Sequence, residues 1–177
     1  MNHKKMLSSA TTTFFAVRKA LFITLCLCCL AFGQHDKGRI AVYLTGSGDP
    51  NTDKALSIMF LDAIVKAYPR WFDAIDRQEE FLAQIDREHI KQRGGAINDA
   101  QIIALGKQAG VDFICIGDIT QAFGTYIMNA RINHVETARV VASGRSNSKT
   151  LDDIDVIENL LNNIIRSMGQ DLLRNFR

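Results

Sequence analysis

The chain has 177 residues, 47% of them hydrophobic and 23% charged, with two prolines and no low-complexity tract, a composition that excludes a disordered, collagenous or linker-dominated protein. The formal charge of +2 is uneven: residues 1–33 carry Lys4, Lys5, Arg18 and Lys19 and no acidic side chain, whereas residues 34–177 carry 17 basic and 19 acidic ones. A near-neutral body lacks the concentration of Lys and Arg that general nucleic-acid binding needs, so no nucleic-acid partner is expected.

The first element reads as an address. Lys4, Lys5, Arg18 and Lys19 precede the stretch Ala20-Leu-Phe-Ile-Thr-Leu-Cys-Leu-Cys-Cys-Leu30, followed by Ala31-Phe32-Gly33 and a polar run from Gln34. A basic region, a short apolar region and small residues before a cut are the secretory pattern. As a helix the apolar stretch spans ~16 Å at ~1.5 Å per residue, against a bilayer core of ~30 Å. We expect a signal peptide over residues 1–33 cut after Gly33, a short linker at 34–38, and a single domain over 39–177. Met6 is an alternative start. An uncleaved leader, or an oligomer, is the expected route to membrane contact. Cys26, Cys28 and Cys29 lie inside the leader, and each follows a residue (Leu25, Leu27, Cys28) too large for a lipoprotein signal. Cys115 alone remains, so the exported chain forms no internal disulfide and no Cys-based zinc site.

Arg39–Leu44 is a short apolar run that predicts a buried strand, and Thr45-Gly-Ser-Gly-Asp-Pro50 supplies turn chemistry before a helix. Ala55, Leu56, Met59, Phe60, Ala63, Ile64 and Ala67 mark one face of that helix, which Pro69 ends. Trp71–Ile75 reads as a second strand. Asp76 and Glu79 read as the cap of a helix carrying Phe81, Leu82, Ile85 and Ile90 and stopped by Gly94-Gly95. Asn98 and Gln101 start another, with Gly110 at its end.

Val111-Asp-Phe-Ile-Cys-Ile-Gly-Asp-Ile119 reads as a strand apolar on both faces, hence central. Tyr126, Met128, Ala130 and Ile132 alternate with Asn129, Arg131 and Asn133, as in a strand with one wet face. Val135–Ala138 is a turn and Arg139–Ser143 the return strand. Thr150 and Asp153 open a last helix striped by Leu151, Ile154, Ile157, Leu161, Ile164, Ile165, Met168 and Leu172, a face suited to covering a sheet. The fold class is α/β, a mixed sheet covered by helices in the order β-α-β-α-α-β-β-β-α.

The candidate chemistry is sparse. Gly46-Ser47-Gly48 between strand and helix resembles a phosphate loop, and Gly46–Asp49 is the one segment that suggests a small-molecule or nucleotide site. The third glycine of a dinucleotide fingerprint would fall at Asn51, the Walker GK[ST] is absent, and Asp49 and Asp53 would repel phosphate. His89 sits beside Asp86 and Glu88, but the other exported histidines, His35 and His134, are far off in sequence, which argues against a metal site. Cys115, in the most apolar strand, reads as a small hydrophobe. Asp73, Asp76, Asp112 and Asp118 carry no motif that brings them together. We assign no catalytic, cofactor-binding or metal-ligating residue, no cofactor and no enzyme activity.

Trp71-Phe-Asp-Ala-Ile-Asp-Arg77, then Phe81-Leu82 and Glu88, then Leu105-Gly106, Ala109-Gly-Val-Asp-Phe-Ile-Cys-Ile-Gly-Asp-Ile-Thr120 and Asn129-Ala-Arg-Ile-Asn-His-Val-Glu-Thr137, follow one another in the order of the curli-assembly (CsgG-like) family. The resemblance runs from about Arg39 to Leu173 and extends to penicillin-binding-protein activator lipoproteins and TolB-like N-terminal domains. It implies a periplasmic α/β domain, free or outer-membrane associated, that binds other envelope proteins in assembly, secretion or cell-wall synthesis. It implies fold-stabilising roles for Arg77 and Glu88. The family's lipid-bearing Cys has no match here, and Ala138 stands where the family turn carries Gly. No pair of long alternating hairpins is available for a barrel, so an adaptor fits better than a curli-type oligomeric pore.

Overall fold

The computed structural model describes residues 37–91 and 98–176; the leader and the expected Gly94-Gly95 stop lie outside them. The order is β1 (Gly38–Thr45), α1 (Pro50–Ala67), β2 (Phe72–Ala74), α2 (Gln78–Lys91), α3 (Asp99–Ala109), β3 (Phe113–Ala122), β4 (Thr125–His134), β5 (Arg139–Ser148) and α4 (Ile154–Asn175). It reproduces the expected sequence of elements. The five strands form one mixed sheet in the order β2-β1-β3-β4-β5. β1 pairs in parallel with β2 and β3, and the β3-β4-β5 meander is antiparallel.

Helices cover the two faces unequally. On one face α1 and α4 bury Phe60, Ile64, Leu161, Ile164, Met168 and Leu172 against Val42, Cys115, Met128, Ile132 and Ala142, so that cover reaches from β1 to β5. On the other, α2 and α3 bury Phe81, Ile85, Ile102 and Leu105 against Ala41, Ile114 and Ile116, strands β1 and β3 only. The β4–β5 half of that second face has no helix over it among the described residues. At the sheet end opposite the β3–β4 turn, Tyr68, Trp71 and Phe176 stack in series, with Phe72 and Phe113 packed edge-on or tilted against Phe176.

Local sequence explains most boundaries. Asp49 caps α1, accepting from the N–H groups of Asn51 and Thr52. Asn98 and Gln101 form a reciprocal capping box at α3, and Gly110 closes that helix at φ +72°. Asp153 caps α4, so Leu151 and Thr150 precede the helix, and Ile154 stands exposed. Four boundaries depart from expectation. β1 opens at Gly38, whose N–H donates to the Trp71 carbonyl. β2 has three residues, not five. α2 starts at Gln78 without Asp76 as its cap, its first turn closing on the Arg77 carbonyl, which accepts the Phe81 N–H. β5 runs on to Ser148 through a polar stretch. That extension is possible because a Cβ on Gly144 would lie 2.7 Å from the Ile164 carbonyl and 2.5 Å from Ser167 Oγ, so only glycine lets α4 lie this close.

Candidate functional site

A sheet exposes unpaired N–H and C=O groups wherever a neighbour strand stops, and the side chains that meet them show which edges are closed. β2 ends opposite Ile40. Beyond it, the Val42 N–H donates to Gln78 Oε1 and the Val42 carbonyl accepts from Gln78 Nε2, while the Leu44 N–H donates to Ser57 Oγ at 2.9 Å. A buried amide and a buried hydroxyl thus stand in for the missing strand. At the opposite edge, Asn175 Nδ2 donates to the Val141 carbonyl at 2.8 Å, and the Ser143 N–H donates to Asp171 Oδ2 at 3.4 Å. By the same alternation the N–H and C=O of Arg145 and Asn147 point off the edge, and no described residue meets them.

That open segment borders the uncovered half-face. Its side chains are Ile127, Asn129 and Arg131 on β4 with Ser143, Arg145 and Asn147 on β5, the last three exposed. Arg131 is held by Asp99 at the start of α3, and Asp118 Oδ2 accepts from Asn129 Nδ2 at 3.0 Å. Arg145 has no ion-pair partner among the described residues. Asn133 breaks the alternation: it lies at the β-bulge opposite Ile114, 3% exposed, and its Nδ2 meets no partner among the described residues. The result is a largely polar surface around Ile127, on which, among the described residues, the Arg145 guanidinium has no ion-pair partner and the N–H and C=O groups of Arg145 and Asn147 are unmet.

The β3–β4 turn adds a feature that motif reading missed. Ala122 pairs with Thr125, leaving Phe123 and Gly124 as a two-residue loop with φ of +50° and +70°. Such turns take Asn-Gly or Asp-Gly, since both central residues sit at positive φ. Phe123 is fully exposed there. A bulky aromatic before glycine between two strands was the available signal.

The loop at Gly46–Asp49 does not hold a site for an anionic ligand. The N–H groups of Gly46 and Ser47 donate to Asp53 Oδ2 at 3.1 Å and Oδ1 at 2.9 Å, and Asp49 takes those of Asn51 and Thr52. The Thr52 hydroxyl, which donates to Asp49 Oδ2 at 2.7 Å, and then the Thr52 and Asn51 N–H groups hold the Asp49 carboxyl below its usual range. The donors that would face a phosphate already face the chain's own carboxylates, which corrects the small-molecule or nucleotide expectation for this loop. Asp73 meets Lys37, Asp112 Oδ2 accepts the Arg39 N–H, and Asp118 meets Asn129, so three of the noted carboxylates serve separate local contacts. No group of metal-ligating side chains occurs among the described residues; the His89 side chain lies outside them. Arg77 is exposed and reaches Glu80 at 3.5 Å, a surface pair worth at most ~1 kcal/mol, so its contacts show little of the fold-stabilising role implied for it. Cys115 is fully buried, and burial pushes its thiol well above the ordinary range. No helix among the described residues is long and apolar enough to cross a membrane.

No family model matches the chain, and no curated protein matches it, so the curli-assembly resemblance stands on its quoted motifs alone. Among solved structures, the chain is similar to the LpoB C-terminal domain from Salmonella enterica, at 12% identity and TM-score 0.43 over 67% of this chain and 87% of that one. It is also similar to lipoprotein GNA1162 from Neisseria meningitidis, at 16% identity and TM-score 0.46 over 76% and 99%. A third likeness is to TolB from Acinetobacter baumannii, at 10% identity and TM-score 0.45 over 77% and 28%.

Proposed function

We propose that this chain is an exported cell-envelope protein that performs no chemistry of its own and works by binding other envelope proteins. Its role would be that of an accessory to assembly, secretion or cell-wall synthesis. One observation carries the reading: among the described residues nothing covers one face of the β4–β5 half of the sheet, and its edge is closed by α4 side chains only as far as Ser143. An extended segment of a partner can add there as a strand, using the N–H and C=O groups of Arg145 and Asn147, with Arg145 reading a carboxylate. The leader pattern of residues 1–33 supplies the route to the envelope, and the near-neutral body fits a contact surface better than a polyanion site.

Proline substitution tests the edge. Asn147→Pro removes an N–H that no described residue uses, so the protein stays folded, at a cost below about 1 kcal/mol. Ser146→Pro deletes a donor on the β4 side, opposite Met128, and costs about 1–3 kcal/mol in urea denaturation. In pull-downs from envelope extract, the unmodified chain retains a partner that the folded Asn147→Pro variant loses. Retention of the same partner by that variant, or intact mass showing a soluble intracellular product that still begins at Met1 or Met6, overturns the proposal.

A further inference from the structure

The cleft between α2 and the end of α3, of about 410 Å³, collects charges that the fold leaves unpaired. Five charged side chains line it: Arg39 from β1, Asp76 and Arg77 from the segment before α2, and Glu80 and Arg87 from α2 itself. Arg77 and Glu80 meet each other at 3.5 Å. Arg39, Asp76 and Arg87 have no ion-pair partner among the described residues. The sequence shows why each is left over. On a solvated helix a charge meets its opposite three or four positions away, but Arg87 has Ala83, Gln84, Ile90 and Lys91 there. Asp73 sits across from Arg39 on β2 and is taken by Lys37 at 3.1 Å, while Asp112 accepts the Arg39 N–H. The Arg39 guanidinium lies over Gly110 instead, its Nη2 3.7 Å from where a Cβ would stand, at the end of α3 that favours a cation. Asp76 precedes α2 without capping it. Across the cleft Gln84 Nε2 donates to Gln108 Oε1 at 3.3 Å, which ties α2 to α3.

We infer that this cleft binds a free acidic α-amino acid. Two guanidinium groups and one carboxylate are unmatched, and a molecule that neutralises all three carries two carboxylates and one ammonium. Each guanidinium presents a planar pair of donors to a carboxylate, and Asp76 accepts from the ammonium. Glutamate holds that set in a body small enough for the volume, which is near the lower end of ligand sites at ~300–1,000 Å³. A phosphate group lacks the cation, so it leaves Asp76 unmatched and sets further negative charge beside it. The cleft is built from β1, α2 and α3 and uses neither Arg145 nor Asn147, so its failure and the failure of the strand-addition reading are separately visible.

Titration of the isotope-labelled purified protein, followed by amide NMR at constant ionic strength, tests the site. L-glutamate shifts the signals of residues around the cleft saturably. It binds about tenfold or more tighter than glutarate, which lacks the ammonium, or L-glutamine, which lacks the second carboxylate. Arg87→Gln, at an exposed helix position, keeps the fold and weakens glutamate binding about tenfold or more. Asp76→Asn weakens glutamate by a similar factor but does not weaken glutarate, a split that a merely structural lesion does not produce. Arg145→Ala leaves glutamate binding unchanged. The absence of a saturable shift up to about 10 mM glutamate overturns the inference. So does equal binding of glutamate and glutarate, or undiminished binding by Arg87→Gln. Inorganic phosphate binding tighter than glutamate also overturns it, because the cleft is then a general anion patch.

Discussion

β3 and β5 belong to one sheet and are each ten residues long, yet they are built differently. β3 lies between both helix layers, and its residues Phe113 to Gly117 are buried without interruption. Among the described residues β5 is covered on one face only; Ala142 alone is fully buried, and exposed Ser143, Arg145 and Asn147 alternate with half-buried Gly144, Ser146 and Ser148. Two-sided cover demands a continuous apolar run, and one-sided cover demands every second residue. Stability therefore concentrates at β1 and β3, whereas β4 and β5 can carry a polar surface without loss. The edges follow the same division. Beside β1, two buried side chains, Gln78 and Ser57, complete the ladder; beside β5, exposed Asn175 and half-buried Asp171 complete only part of it.

The largest effect should separate these two strands. Ile114→Ala, at a fully buried position packed by α2 and α3, is expected to lower stability by about 2–5 kcal/mol, through lost apolar burial and the cavity left behind. Arg145→Ala, on the bare half-face, should stay within about 0.5 kcal/mol. Urea denaturation of both variants checks this. Similar losses at the two positions would break the comparison, because they would mean that something covers the β4–β5 face.

Much of this division was legible in the residues. The uncharged run from Phe113 to Gly117 and the alternation from Tyr126 to Ile132 are period signals that side-chain burial alone sets, and both strands follow them. Asn98 with Gln101, Gly110 and Asp153 act through neighbours within a few positions, so their caps were readable too. What escaped depends on contacts distant in sequence. Gln78 carries no local signal, because its partner is Val42, 36 residues away. The polar end of β5 has no apolar period, and it is a strand because β4 pairs with it and Gly144 admits α4. The edge closure by Asp171 and Asn175 reaches back 28 and 34 residues, to Ser143 and Val141. Hence the open segment at Arg145 and Asn147, defined by where that closure stops, had no local signature.

A smaller effect lies at the centre of the sheet. Cys115 pairs with Val42 on one side and Ile132 on the other, wholly buried. Burial disfavours its thiolate, so the folded thiol titrates above the unfolded one. Above about pH 8.5 the unfolded chain releases this proton while the folded chain keeps it. Stability is thus fully present below that pH and falls as pH rises, by up to about 1.4 kcal/mol per unit from this group. Tyr43 and Tyr68, also raised by burial, add to the fall above about pH 10. Between those two values Cys115→Ala should flatten the profile, although it lowers stability at neutral pH. Cys115→Ser should cost about 1–3 kcal/mol as a packing lesion. Rapid modification of the folded protein by a thiol reagent near neutral pH would contradict a sealed centre.

The smallest expected change falls in the β4–β5 turn and has the opposite sign. Ala138 adopts φ +53° in the loop between paired His134 and Arg139. A Cβ in this left-handed region costs about 1–2 kcal/mol, whereas glycine adopts it freely. Glycine also makes the unfolded chain more flexible, which offsets about 0.4–1 kcal/mol of the relief. Ala138→Gly is therefore expected to raise stability by roughly 0.5–1 kcal/mol, a difference between these two terms. The gain should be local as well as global. β5 has no further strand to hold it, so fraying of the β4–β5 pair starts from its open side and is opposed mainly by the turn and by α4. Slower amide exchange in β4 and β5, with β1 and β3 unchanged under conditions of local opening, is the outcome expected. Equal slowing across all five strands would show that the two halves open together, and that the bare half is no less rigid than the covered one.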